Sequence, residues 1–162
     1  MQLLFLNIIE NNNAKIGGGI MLYSSISQKK GENIIRIGMV VKNCKNEVLL
    51  IKDKINRINK QIYSIPFVEV NEVKEEKIIN EFNDKYGLKI DKLEGYINET
   101  NVLDDKCDEI LQINMSCKSD NANLQDGIWN HLDEVLNNIK VPSNVKECIE
   151  VYKYNSNLNH HL

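Results

Sequence analysis

The sequence predicts an α/β fold in a single domain, and three observations carry that prediction. A β-branched run, Ile34 to Val41, is followed after a short polar turn by a second apolar run, Val48 to Ile51. An amphipathic helical pattern then leads up to Gly87. Beyond it, further apolar runs and a segment bearing Trp129 precede a last helical pattern that opens after Pro142. Strand-like and helix-like periodicities thus alternate along one chain of 162 residues, enough to bury a single core.

Taken in order, Ile34 to Val41 suits a buried strand because β-branched side chains pack well on a pleated surface. Lys42 to Asn46 reads as a turn, and Val48 to Ile51 as the returning strand of a hairpin. The stretch Asp53 to Gln61 is polar, with Lys54, Arg57 and Lys60, and two uses stay open for it: a solvated loop, or the place where an anionic ligand is first met. A helix is expected from Asn71, which can cap it, with Glu72, Glu75 and Glu76 favouring the first turn and Gly87 as the stop. Ile78, Ile79, Phe82 and Tyr86 recur at helical spacing and should face the core, leaving Lys77, Glu81, Asp84 and Lys85 outside. Strands are expected over 88–98 and 109–117, with an acidic loop at 101–108 between them. A polar loop at 118–126, a Trp129 strand running into Leu132-Asp133-Glu134, and a helix from Ser143 to about Tyr154 complete the chain. The expected organisation is an N-terminal extension over 1–33, one domain over 34–154 and a flexible tail over 155–162.

The first 20 residues carry a separate expectation. Met1 to Ile9 is apolar but short and lacks a basic flank, so it reads neither as a signal peptide nor as a membrane span. Heavy Asn, Lys and Ile usage suggests an AT-rich gene, in which Gly17-Gly18 can be encoded by a purine-rich run resembling a ribosome-binding site just before Met21. Translation is therefore expected to start at Met21. A genuine N-terminal arm is the other reading, and peptides from residues 1–20 in the natural protein would establish it.

Composition excludes some functions. A net charge of −3 argues against general nucleic-acid or membrane-surface binding, since either needs a clustered basic face. Cys44, Cys107, Cys117 and Cys148 are scattered, without a Cys-x-x-Cys spacing or a nearby His pair, which points to reduced thiols in a cytoplasmic protein and not to a zinc site. His131, His160 and His161 offer no catalytic spacing.

Glu72, Glu81, Phe82, Gly87 and Leu88 stand at the spacing of a Nudix box, and the stretch from Pro66 to Leu88 resembles that of the Nudix hydrolase family. The chain departs from the family pattern at Pro66 for the loop Gly, Asn80 for Arg, Asp84 for Glu and Lys85 for the last metal-binding Glu. Residues 127–136, with Trp129 before a Leu-Asp-Glu helix start, extend the resemblance over about 34–154. It implies an α/β/α sandwich with a mixed sheet and hydrolysis of a nucleoside diphosphate linked to another moiety, with Mg2+ or Mn2+ as cofactor. By the same resemblance, Glu81 and Asp84 are the candidate catalytic residues and Glu81, Asp84, Glu72 and Asp126 the candidate metal ligands. Glu69, Tyr63, Trp129 and Lys85 are candidate ligand-binding residues, the partner is a small nucleotide derivative, and a homodimer is compatible with all of this.

The chemistry behind the box is electrostatic. A diphosphate repels an incoming water, so divalent cations offset its charge, and hard cations take carboxylate oxygens. Positions 81, 84 and 85 share one helix face and here read Glu, Asp, Lys. An ammonium beside a metal is worth on the order of 4 kcal/mol of repulsion per unit charge pair at about 4 Å and an effective dielectric near 20, before screening, so metal affinity should fall steeply. Two uses of Lys85 stay open: an exposed ion pair with Glu81, or an ammonium in the place of the lost metal that binds diphosphate itself. Tyr63, Tyr96 and Trp129 either stack on a base or pack in the core. Two functions therefore follow: a divergent hydrolase with weak or altered activity, or a non-catalytic module binding a nucleotide or a protein.

Overall fold

The computed structural model describes residues 34–52, 62–120, 122, 127–137 and 139–159. The expectations for 1–33, for 53–61, for Asp126 and for 160–162 lie outside these residues. Strands β1 (Ile35–Lys42), β2 (Glu47–Lys52), β3 (Tyr63–Ser64) and β4 (Phe67–Val70) precede helix α1 (Glu75–Tyr86). Then come β5 (Leu93–Leu103), β6 (Glu109–Lys118), β7 (Gly127–His131), α2 (Leu132–Asn137) and α3 (Ser143–Asn159).

The strands form one mixed sheet in the order β3-β2-β1-β6-β5, with β4 also pairing β1 and β7 pairing β2. β1 and β6 run parallel, from Arg36 opposite Gln112 to Lys42 opposite Lys118, and the other pairs are antiparallel. The β1–β2 turn holds because the Asn43 side chain accepts the N–H groups of Lys45 and Glu47, and Asn46 takes a left-handed φ of 61°, which Asn tolerates.

Alternation along the strands builds two cores, one on each face. Ile35, Ile37, Met39 and Val41 of β1 join Ile113, Met115 and Cys117 of β6 under Ile78, Ile79, Phe82 and Tyr86 of α1. Val40, Val48, Leu50 and Ile97 point the other way, to Val145, Cys148, Ile149 and Tyr152 of α3. The layers are the expected α/β/α.

Four boundaries differ from the sequence reading, each for a physical reason. Helix α1 begins at Glu75 and not Asn71: Lys74 stands at its N-cap without a side-chain cap, while Asn71 accepts a bond from Lys77 Nζ at 3.2 Å. Gly87, with φ 63°, ends it as expected. Residues 88–92 bury Leu88 and Ile90 without joining the sheet, because their N–H groups go to side chains: Lys89 to Ser119 Oγ and Ile90 to Asn83 Oδ1. Strand β5 therefore starts at Leu93, and it runs on to Leu103, into the expected acidic loop. That loop is a tight turn in which Asp104 Oδ1 accepts the N–H groups of Lys106 and Asp108. Lastly, α3 continues past Tyr154 to Asn159, so residues 155–159 are helical and not tail.

Strands β3 and β4 have no counterpart in the sequence reading. They are short and pair with different strands, β2 and β1, with Pro66 at the crossing. Pro66 lacks an N–H, but its carbonyl accepts the Met39 N–H at 2.9 Å, so the crossing stays bonded. All four cysteines are free thiols, with Cys117 and Cys148 buried. Among the described residues no helix is long and apolar enough to cross a membrane.

Candidate functional site

The last turn of α1 is fastened to β4 at a single residue, Phe67. Tyr86 is buried, and its hydroxyl donates to the Phe67 carbonyl at 2.7 Å while accepting the Phe67 N–H at 3.0 Å. Burial pushes the Tyr86 phenol up to about 12, so it remains a donor throughout the neutral range. Lys85, next in the same turn, donates its Nζ to that carbonyl at 3.0 Å. Its ammonium lies 4.5 Å from the centre of the Phe67 ring and 5.2 Å from that of Tyr86, within cation–π range of both.

The Phe67 ring carries a second cation. Val68 and Val70 of β4 belong to the α1-side core, so Phe67 and Glu69 project to the opposite face, where Arg36 of β1 also points. The Arg36 guanidinium carbon sits 3.5 Å from the ring centre, and the residue is 8% exposed. Its Nε donates to Gln112 Oε1 at 2.9 Å. Gln112 donates in turn to Asn114 Oδ1 at 2.7 Å, and Asn114 donates to Thr100 Oγ1 at 2.9 Å and Asn98 Oδ1 at 3.0 Å. Gly38 makes this ladder possible: a Cβ there would stand 2.3 Å from Gln112 Nε2 and 2.4 Å from Asn114 Oδ1.

Charge in the site is mixed. Partial burial of the Lys85 ammonium, then the like charge of Arg36, holds its pKa below the ordinary lysine value, and Glu69, Asp105 and Glu81 pull it back up. Lys85, Glu69 and Glu81 are thus three sequence-predicted residues that the fold brings near one another. Arg36 and Asp105 join them; sequence reasoning passed over Arg36 and held Asp105 as one of the acidic-loop alternatives to the box carboxylates. A signal for Arg36 was present: a lone cation in an otherwise apolar run, opposite the alternating polar series Gln112, Asn114, Ser116.

The remaining candidates are placed elsewhere or differently. Glu72 lies before α1, and its carboxylate is taken by Lys74 and Lys77, each at 3.0 Å. Asp84 is exposed on α1. Trp129 packs against the α1-side core and Tyr63 against the α3-side core, so they lie on opposite faces and cannot share one base. Asp126 is outside the described residues. Among the described residues no three His, Cys, Asp or Glu side chains converge to hold a metal ion. With Glu72 neutralised by two lysines and Lys85 among the carboxylates, the donor set does not fit the Mg2+ or Mn2+ that the resemblance implies.

No family model and no curated protein matches the sequence. Solved structures do match the fold. A MutT protein from Methanosarcina mazei superposes with a TM-score of 0.58 at 19% identity, over 76% of this chain and 94% of that one. A Nudix hydrolase from Nitrosomonas europaea gives 0.57 at 14% identity, over 75% and 88%. The C-terminal domain of mouse MUTYH, in its complex with human PCNA, gives 0.56 at 17% identity, over 76% and 90%. The chain has a Nudix-type α/β fold.

Proposed function

We propose that this Nudix-fold chain is a binding module that holds a small nucleotide derivative by its phosphates, without a divalent cation and without hydrolysing it. The observation that carries this reading is the position of Lys85, whose ammonium is bonded to the Phe67 carbonyl at 3.0 Å in the helix turn where the Nudix pattern has a metal-binding Glu. A tethered ammonium offers a phosphate oxygen a charge-assisted hydrogen bond in place of a coordination bond to a metal. It does not acidify a water, so the chemistry stops at binding. The net charge of −3 and four free thiols support a cytoplasmic module for small ligands over one for nucleic acid.

The test has two arms. A panel of nucleoside diphosphate derivatives is incubated with Mg2+ or Mn2+, with Glu81→Gln protein prepared in parallel to control for contaminating hydrolases. The unmodified chain is expected to turn over no more substrate than the Glu81→Gln protein does; turnover abolished by Glu81→Gln would instead establish the divergent hydrolase. Nucleotide binding is then measured in excess chelator, where binding is expected to persist and to be lost in Lys85→Glu. Absence of any chelator-resistant binding ends the proposal.

A further inference from the structure

The carboxyl end of β1 borders a cavity that the site around Lys85 does not use. Strands β1 and β6 run side by side in the same direction and stop at the same level, with Lys42 opposite Lys118. The chain beyond β6 then passes the β1–β2 turn and is pinned to it twice: the Ser119 N–H donates to the Lys42 carbonyl at 3.1 Å, and the Cys44 N–H donates to Asp120 Oδ1 at 2.7 Å. Between the turn and this chain lies a space of about 320 Å3, lined by Lys42, Asn43, Cys44, Asn46, Lys118 and Asp120. The protein itself does little to offset the two lysines. Like charges placed opposite one another on neighbouring strands are destabilising. Lys118 Nζ stands 3.8 Å from Glu94 Oε1, too far for a hydrogen bond, and among the described residues the Lys42 ammonium has no bonded partner. Asp120, the carboxylate that lines the space, has an oxygen committed to the Cys44 N–H. Two ammonium groups thus share a cavity with one carboxylate.

We infer that Lys42 and Lys118 form a second binding site, for a small oxyanion carrying two charges, either a phosphoryl group or a dicarboxylate, seated between the β1–β2 turn and the chain that follows β6. Each ammonium has three donors, so the pair offers one ligand several charge-assisted hydrogen bonds. A bound oxyanion offsets the like charges that the β1–β6 register brings together. The exposed Cys44 thiol lines the same cavity, so an occupant covers it. Phe67, which holds Lys85, pairs with Gly38, and Lys42 lies four residues further along β1, a distance of about 13 Å. The site therefore does not depend on the nucleotide binding proposed above.

Protection of Cys44 from alkylation tests this. Cys44 and Cys107 are both exposed thiols, Cys117 and Cys148 are buried, and Cys107 lies in the β5–β6 turn, so it serves as the internal reference. The full chain is treated with iodoacetamide at low, constant ionic strength, with orthophosphate or succinate added in increasing amounts, and the two sites are quantified by mass spectrometry. Modification of Cys44 relative to Cys107 should slow by at least about threefold with one of the two anions, and which anion does so identifies the source of the oxyanion. Lys118→Met and Lys42→Met, which keep most of the stem and remove a charge, should each raise the anion concentration needed by about tenfold. Lys118 is well exposed, so its variant keeps the test open if Lys42→Met does not fold. Lys45→Met removes a charge from the same turn outside the cavity and should leave the protection in place, as should Lys85→Ala. No selective slowing at Cys44 with either anion, or slowing that survives both Lys118→Met and Lys42→Met, overturns the inference and leaves the proposed function standing. Protection that is lost equally in Lys45→Met, or lost in Lys85→Ala, also overturns it.

Discussion

The two faces of the sheet are built from alternate residues of the same strands, yet they are made to different standards. On the α1 side every inward residue of β1 is apolar, from Ile35 through Ile37 and Met39 to Val41. On the other side the intervening residues run Arg36, Gly38, Val40, and only the last is a core side chain. Because a strand turns successive residues to opposite faces, the chain can keep one side as scaffold and leave the other to chemistry without lengthening any element. Stability is therefore expected to rest most on the continuous face.

Substitutions on the two faces test this contrast, and they rank by size. The largest effect should come from Phe82→Ala against the continuous face: Phe82 of α1 is fully buried between the helix and the sheet, and its loss should cost about 3–5 kcal/mol in a chemical denaturation experiment. Gly38→Ala on the interrupted face should cost less, about 1–3 kcal/mol, because the new methyl displaces the Gln112 and Asn114 side chains instead of opening a cavity. Lys85→Ala should change stability by less than about 1 kcal/mol, since the residue is exposed, while removing chelator-resistant nucleotide binding. A stability loss comparable to that of Phe82→Ala would mean that Lys85 serves the scaffold.

A further effect concerns alkaline pH and should be shared by the faces. Tyr86 on the α1 side and Tyr152 on the α3 side are both pushed by burial from the ordinary value of 10 to about 12. In the window between those values the unfolded chain has already released protons that the folded chain keeps. Stability from these phenols is thus fully present below 10 and is lost as pH rises toward 12. Denaturation midpoints at about pH 9 and about pH 11 should show the decline, and Tyr86→Phe and Tyr152→Phe should each flatten it. A flat profile in the unmodified chain would show that the two phenols are not held in the folded state as described.

Much of the scaffold was legible because it obeys local rules. The β1–β2 hairpin follows from β-branched runs flanking an Asn-bounded turn, and the end of α1 from Gly87, whose φ of 63° is one that glycine adopts freely. The start of α1 was misplaced because Asn71 spends its side chain on Lys77 instead of the helix end. Strand β4 was missed because its partner is β1, some thirty residues earlier, and pairing at that range leaves no local mark. The site divided in the same way. Lys85 was visible as a departure from a known spacing, whereas Arg36 becomes a site residue only once β4 lays Phe67 beside it and β6 supplies Gln112.

The far edge of the sheet bears on how the molecule behaves at high concentration. Among the described residues strand β5 is long and lies at the end of the sheet, and an edge strand is a template for another chain. Its pairing with β6 slips twice, between Leu93 and Gly95 and again between Tyr96 and Asn98. Each irregularity twists the strand and breaks the even spacing that an incoming strand would have to match. Among the described residues the first half of β5 is therefore less suited to sheet extension than the regular stretch from Asn98 to Leu103.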